Sequence, residues 1–182
     1  MELQWFRDYL SNHHQSVVYD KHCSNPLPVS CGVPQGFLLG ALLFLIHFND
    51  VEDCLMNSEA VMYADDTVIF FSDKDINLIN SKLSEDMTYL SQWLDANELF
   101  INLKKGKTEC MLFGTAKRLL TLKDQQLSVN FKDSAINVTS SYKYLGFELD
   151  QALSLQSHFT KVYRKASGRL HLLSDGQEIS YG

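Results

Sequence analysis

Between residues 76 and 94 the apolar side chains Ile76, Ile79, Leu83, Met87, Leu90 and Trp93 or Leu94 recur at helical spacing, which gathers them into one stripe along an amphipathic helix. Asp75 stands where an N-cap belongs, and the pattern stops near Asn97; an Asp side chain there accepts one of the N–H groups that a first helical turn leaves unpaired. Such a helix is stabilised mainly by burying its apolar stripe, so the rest of the chain must supply a layer to cover it.

The surrounding segments supply mixed elements. ELQWFRDYLSN reads as a short helix with Leu3, Phe6 and Leu10 on one face, and SVVYD as a strand. A loop containing Pro26, Pro28, Gly32, Pro34 and Gly36 opens into an apolar helix from Phe37 to Asp50. VMYADDTVIFF reads as a hairpin. After the amphipathic helix, FINL and TECMLFG read as strands, QLSVNF and AINVT as a weak hairpin, and YKYLGFEL as a strand. A basic amphipathic helix from Leu155 to Leu173 ends the pattern. Elements in this order, without βαβ alternation, predict an α+β fold in which an antiparallel sheet carries helices on one face.

Composition narrows the class. A chain of 182 residues with 45% hydrophobic content is long enough for one domain with a real core, or one plus an appendage. The longest apolar run, FLLGALLFLIHF, is a dozen residues interrupted by Gly40 and His47, too short for a membrane span. Cys23, Cys31, Cys54 and Cys110 lack metal-ligand spacing, which predicts reduced intracellular thiols used as small buried hydrophobes. The six histidines form no ligand set, so a zinc site is not expected. Charge is divided unevenly: residues 1–99 hold 4 Lys and Arg against 15 Asp and Glu, whereas residues 100–182 hold 12 against 7. The basic residues fall at Lys104, Lys105 and Lys107, at Lys117 and Arg118, and at Lys161, Arg164, Lys165 and Arg169. Such clusters form either a solvated face or a nucleic-acid footprint.

Two stretches carry candidate chemistry. Asp65 and Asp66 sit between two β-forming runs; the pair either closes a turn, a common use of Asp, or aims hard oxygen ligands at a divalent cation such as Mg²⁺. In SCGVPQGFLLG, Gly32 and Gly36 leave the backbone bare beside Val33, Pro34 and Gln35, and the following helix directs its N-terminal amides toward the loop. That loop is either a helix-entry turn or a place for phosphate and a nucleic-acid strand.

In order along the chain, WFRDYLSN, GVPQG, ALLFLIHFND, YADD, NLKKGKTECMLFG and YKYLGF resemble the reverse transcriptase palm of non-LTR, LINE-like retrotransposons, from about Trp5 to about Lys165. The resemblance implies a polymerase palm over residues 1–150 and the beginning of a helical thumb over 151–182. It implies that Asp65 and Asp66 are catalytic metal ligands for Mg²⁺, with Mn²⁺ as a substitute, and that Tyr63 and Ala64 lie near the primer end and nascent pair. Pro34, Gln35 and Gly36 match the loop that faces template and incoming nucleotide. Lys107 resembles a lysine placed near the triphosphate, and Tyr144, Leu145 and Gly146 resemble the primer grip. The implied partners are an RNA template, a DNA primer and a deoxynucleoside triphosphate, with no membrane, and a nuclear location is plausible in a host that has a nucleus.

The chain also departs from the pattern. The family carries a further aspartate upstream, in a context like KAFDTVDH, and neither Asp8 nor Asp20 occupies that place. The fingers and first catalytic strand are therefore expected in sequence upstream, and the chain by itself is expected to be inactive as a polymerase. Phe37 stands beside the nucleotide loop and His14 where arginine is common. The competing expectations are a reverse-transcriptase-derived module that binds RNA or protein without catalysis, and a non-functional relic.

Overall fold

The computed structural model describes residues 2–29, 32, 38–122 and 125–177, and the chain divides into two compact units, Met1–Asn49 and Asp50–Gly182. Pro34, Gln35, Gly36 and Phe37 lie outside the described residues.

The first unit opens with α1 (Glu2–Leu10), the expected short helix, in which Trp5 stacks on Tyr9 at 5.5 Å. A ribbon follows, built from β1 (His14–Gln15), β2 (Val18–Tyr19), β3 (His22–Cys23) and β4 (Leu27–Pro28). β2 pairs with β3 and β1 with β4, both antiparallel. Asp20 and Lys21 turn the inner pair at positive φ, 43° and 66°, the handedness that matches strand twist in a two-residue loop. The SVVYD strand is thus one arm of this ribbon. α2 (Leu38–Phe48) is the apolar helix; its 11 residues span about 16 Å, half of a bilayer core. Among the described residues no helix is long and apolar enough to cross a membrane.

In the second unit a 3-10 turn, Val51–Cys54, leads into the hairpin of β5 (Glu59–Tyr63) and β6 (Asp66–Phe70). α3 (Ile76–Ala96) is the predicted amphipathic helix. Its cap forms as expected, with the Asp75 carboxylate accepting from the Asn77 N–H at 2.9 Å. Asp75→Ala is expected to lower stability by about 1 kcal/mol in chemical denaturation, the usual worth of an N-cap acceptor. Ile76, Ile79, Met87, Leu90 and Leu94 are buried, and Leu94 rather than Trp93 completes the stripe. β7 (Glu109–Cys110), α4 (Ala116–Thr121), β8 (Asn130–Phe131), β9 (Ser134–Ala135) and β10 (Asn137–Val138) follow. Alternate residues Leu127, Val129 and Phe131, with Ile136, complete the core with Val51 and the α3 stripe. The Asn80 amide ties α3 to this segment, donating to the Gln126 carbonyl and accepting from the Ser128 N–H. β8 and β9 pair antiparallel, β11 (Ser141–Tyr144) and β12 (Phe147–Asp150) form a further hairpin, and α5 (Gln156–Gln177) is the expected basic helix.

The mixed helix and strand content is as the sequence predicts, but its details differ in three places. FINL is not a strand. Glu98 enters the left-handed region (φ 55°) and the Leu99 N–H returns to the Leu94 carbonyl, so the helix end reverses the chain and leaves Phe100 90% exposed. TECMLFG contributes only Glu109 and Cys110, paired in parallel with Asn137 and Val138, which makes AINVT two short strands with different partners. YKYLGFEL is a hairpin, because Leu145 and Gly146 both take positive φ, 45° and 89°. Among the described residues each sheet is two strands wide, since such turns and reversals leave eight of the twelve strands two residues long.

Leucine in the left-handed region costs about 1–2 kcal/mol, which glycine does not incur. Leu145→Gly is therefore expected to raise stability by about 0.5–1 kcal/mol, after the extra freedom glycine gains in the unfolded chain, measured as a rise in denaturation midpoint.

Candidate functional site

The β5–β6 hairpin presents its acidic pair at the tip. Tyr63 pairs with Asp66, Val61 with Val68 and Glu59 with Phe70 on one face, while Met62 pairs with Thr67 and Ala60 with Ile69 on the other. Ala64 and Asp65 make the two-residue turn, with Ala64 at φ 55°. Positive φ at alanine is strained by roughly 1–2 kcal/mol. Tyr63, Ala64, Asp65 and Asp66 are all exposed, and neither carboxylate accepts a hydrogen bond among the described residues. Their oxygens are thus unspent. The donor chemistry suits Mg²⁺, which keeps several waters and is commonly held by one or two carboxylates together with substrate phosphates. Among the described residues no group of three or more His, Cys, Asp or Glu side chains gathers as a metal cluster.

The root of this hairpin is held by a residue that the sequence reading missed. Asp86, on the buried face of α3, is fully buried. Its carboxylate accepts from the N–H groups of Met56, Asn57 and Ser58 and from the Asn57 side chain at 2.7–3.2 Å. Those three residues run directly into β5. Burial pushes the Asp86 carboxyl up, but hydrogen bonds from Ser58, Met56 and Asn57 outweigh it, so it titrates below the usual aspartate value. The signal was a carboxylate at a stripe position of an otherwise apolar helix face, between Leu83 and Leu90.

Lys107 lies in an exposed loop with Lys104 and Lys105. Lys104 N–H bonds to the Asn102 side chain, Lys107 N–H closes onto the Lys104 carbonyl, and Gly106 supplies φ 81°. This is the Gly-dependent geometry of a type II turn. The Glu109 carboxylate accepts from the Gly106 N–H and from the Asn137 side chain, at 3.0 and 2.7 Å. The Tyr142 hydroxyl donates to the Lys107 carbonyl at 2.8 Å. Burial, followed by the negative charge of Asp66 and Glu109, raises the Tyr142 phenol above its ordinary value. Burial likewise pushes the Cys110 thiol up to about 11, consistent with a small packed hydrophobe.

Tyr144, Leu145 and Gly146 form the β11–β12 turn, with Tyr144 paired to Phe147. The Tyr144 hydroxyl is buried and has no hydrogen-bond partner among the described residues. From β12, Asp150 organises the entry to α5: its carboxylate accepts from the N–H groups of Ala152, Ser154 and Leu155 and from the Ser154 hydroxyl. These bonds, that of the Ser154 N–H foremost, hold its carboxyl below the usual range. Glu148 pairs with Lys161 of α5. Arg164, Lys165 and Arg169 are exposed along the helix with Phe159 and Tyr163.

Hydrogen bonds thus join Tyr142, Glu109 and the Lys107 loop, with Asp66 near enough for its charge to act on Tyr142, whereas residues 33–36 of GVPQG lie outside the described residues. Residues 1–149 match the family model described as "Reverse transcriptase (RNA-dependent DNA polymerase)". Among curated proteins, the RNA-directed DNA polymerase from mobile element jockey of Drosophila melanogaster is 28% identical over 97% of this chain and 20% of its own length. The probable RNA-directed DNA polymerases from transposon BS and transposon X-element of the same organism are 26% and 24% identical, over 92% and 96% of this chain and 18% and 19% of their own. The chain spans about a fifth of the length of these relatives. No solved structure matches it. The chain belongs to the reverse transcriptase (RNA-dependent DNA polymerase) family, with the domain type of non-LTR retrotransposons.

Proposed function

We propose that this chain is part of an RNA-directed DNA polymerase of a non-LTR retrotransposon, contributing the Asp65–Asp66 portion of a nucleotidyl-transfer centre. The observation that carries the reading is the hairpin tip, where two exposed carboxylates with no hydrogen bonds among the described residues stand on a paired ribbon in a chain of this family. Divalent cations, two in this class of reaction, supply activation of the primer hydroxyl and neutralisation of the triphosphate when bound. The protein's part is to hold the carboxylates on a ribbon anchored through Asp86. Tyr63 flanks the tip as an exposed ring for the primer end or nascent pair, and Ala64 keeps the turn short. Lys107 offers a cation near the triphosphate and Tyr144–Gly146 a turn against the primer, with Pro34, Gln35 and Gly36 facing template and nucleotide. In this reading residues 1–150 act as palm and 151–182 as the start of a thumb, and the partners are an RNA template, a DNA primer and a deoxynucleoside triphosphate.

Two carboxylates are only part of a cage for two ions, so the chain by itself is expected to extend no primer. Primer extension on an RNA template, with Mg²⁺ and then Mn²⁺, tests this against the Asp65→Ala, Asp66→Ala double variant and a complete reverse transcriptase as control. Extension by the chain that disappears in the double variant would show that the chain completes the centre unaided.

A second reading is favoured by the exposed basic and aromatic residues of α5. A non-catalytic RNA-binding module would bind RNA through the basic clusters of residues 100–182, lose affinity as salt rises, and be indifferent to Asp65→Ala.

A further inference from the structure

Segments far apart in sequence meet at one phenol. Tyr142 precedes Tyr144 by two residues on β11, so the two side chains share a face of that hairpin. Its hydroxyl reaches back 35 residues to the Lys107 carbonyl, at 2.8 Å. The same loop is fastened on its other side by Glu109, whose carboxylate takes the Gly106 N–H and the Asn137 side chain and so ties the turn to β10. Two independent anchors on a four-residue turn leave it little freedom, although all four residues are exposed. The side chain of Lys107 makes no ion pair among the described residues. Asp66, at the end of the other hairpin, lies near enough for its charge to act on the Tyr142 phenol.

We propose that Tyr142 is a positioning residue: by fixing the Lys107 carbonyl it holds the 104–107 loop, and the Lys107 ammonium with it, beside the Asp66 end of the acidic hairpin. Glu109 sets the conformation of the loop, and Tyr142 sets its place. This rests on reading Asp65 and Asp66 as cation ligands.

Tyr142→Phe keeps the ring and removes only the hydroxyl. In amide NMR spectra of the wild-type chain, added Mn²⁺ is expected to broaden residues 63–67 and also 104–107, because paramagnetic broadening reports proximity to the ion. In the variant, broadening at 63–67 persists while that at 104–107 falls by about half or more, with a thermal midpoint within about 4 °C of wild type, the shift of a single weak interaction. Without metal, the Gly106 and Lys107 amides of the variant exchange about fivefold to tenfold faster, the factor that one hydrogen bond is worth. Loop broadening unchanged by the substitution overturns the proposal. If Mn²⁺ broadens no residue of the wild type, the cation reading of the hairpin falls, and the exchange rates then decide the anchor: faster exchange in the variant sustains it, and equal rates remove it.

Discussion

Replacing Asp86 with alanine is expected to destabilise the chain by about 3–4 kcal/mol, because four donors lose their acceptor at once and a buried donor left unpaired costs about 1–3 kcal/mol unless water reaches it. The donors are three consecutive backbone N–H groups and one side-chain amide, so no single rotamer change can re-pair them. For a chain of this length the thermal midpoint should fall by about 8–12 °C. Asp86→Asn should fall between the two, since an amide keeps one acceptor but turns its own donors toward N–H groups. The dependence on pH follows from the same contacts. The native carboxyl titrates below its unfolded value, so its contribution is fully present above about pH 4 and is lost as pH falls through that value toward the native one. Denaturation midpoints measured from pH 7 down to pH 3 should therefore drop in the wild type and drop less in Asp86→Ala. An equal slope in both proteins would mean that other carboxylates carry the acid sensitivity. The functional consequence lies in β5, which begins at the residue after Ser58: loosening the 56–58 segment frees the root of the acidic hairpin.

The second large effect is chemical. Asp65→Ala with Asp66→Ala is expected to abolish Mn²⁺-induced broadening at residues 63–67. In a polymerase that includes this domain it should lower extension by about 10³-fold or more, because each ion stabilises the transition state by several kcal/mol. Both side chains are exposed and make no hydrogen bonds among the described residues, so folding stability should change by no more than about 0.5 kcal/mol. Loss of extension together with an unchanged denaturation midpoint would separate lost chemistry from lost structure. Residual extension near the wild-type rate would remove these carboxylates from the centre.

What could be read from the sequence tracks how local the physics is. The α3 stripe, its Asp75 cap and the YADD hairpin are dictated within a few residues by periodicity, a capping oxygen and a turn, and the structure has all three. The β11–β12 hairpin was signalled by Gly146 inside a strand-like run, but Leu145 beside it disguised the turn, since leucine at positive φ is held there by the paired strands rather than by preference. The parallel pairing of β7 with β10 joins residues 28 apart and has no local mark. Asp86 and Tyr142 were missed for the same reason. Tyr142 looks ordinary on its strand and Asp86 stands out only as a carboxylate within an apolar stripe, and each takes its meaning from a main-chain group about thirty residues away. At the candidate site, residue types were legible and their mutual placement was not.

The β5–β6 ribbon has a colloidal consequence. Among the described residues its strands pair only with each other, while Val61, Tyr63 and Phe70 remain 54%, 66% and 43% exposed. A short ribbon with apolar side chains and open ladder edges is a template for another strand. If the chain belongs to a polymerase as proposed, two events would compete for it: pairing with a strand from the rest of that enzyme, and pairing with a second copy. The first is independent of protein concentration when the strand is covalently joined, and the second grows with it. Solubility of the purified chain is therefore a measure of how well those edges are occupied.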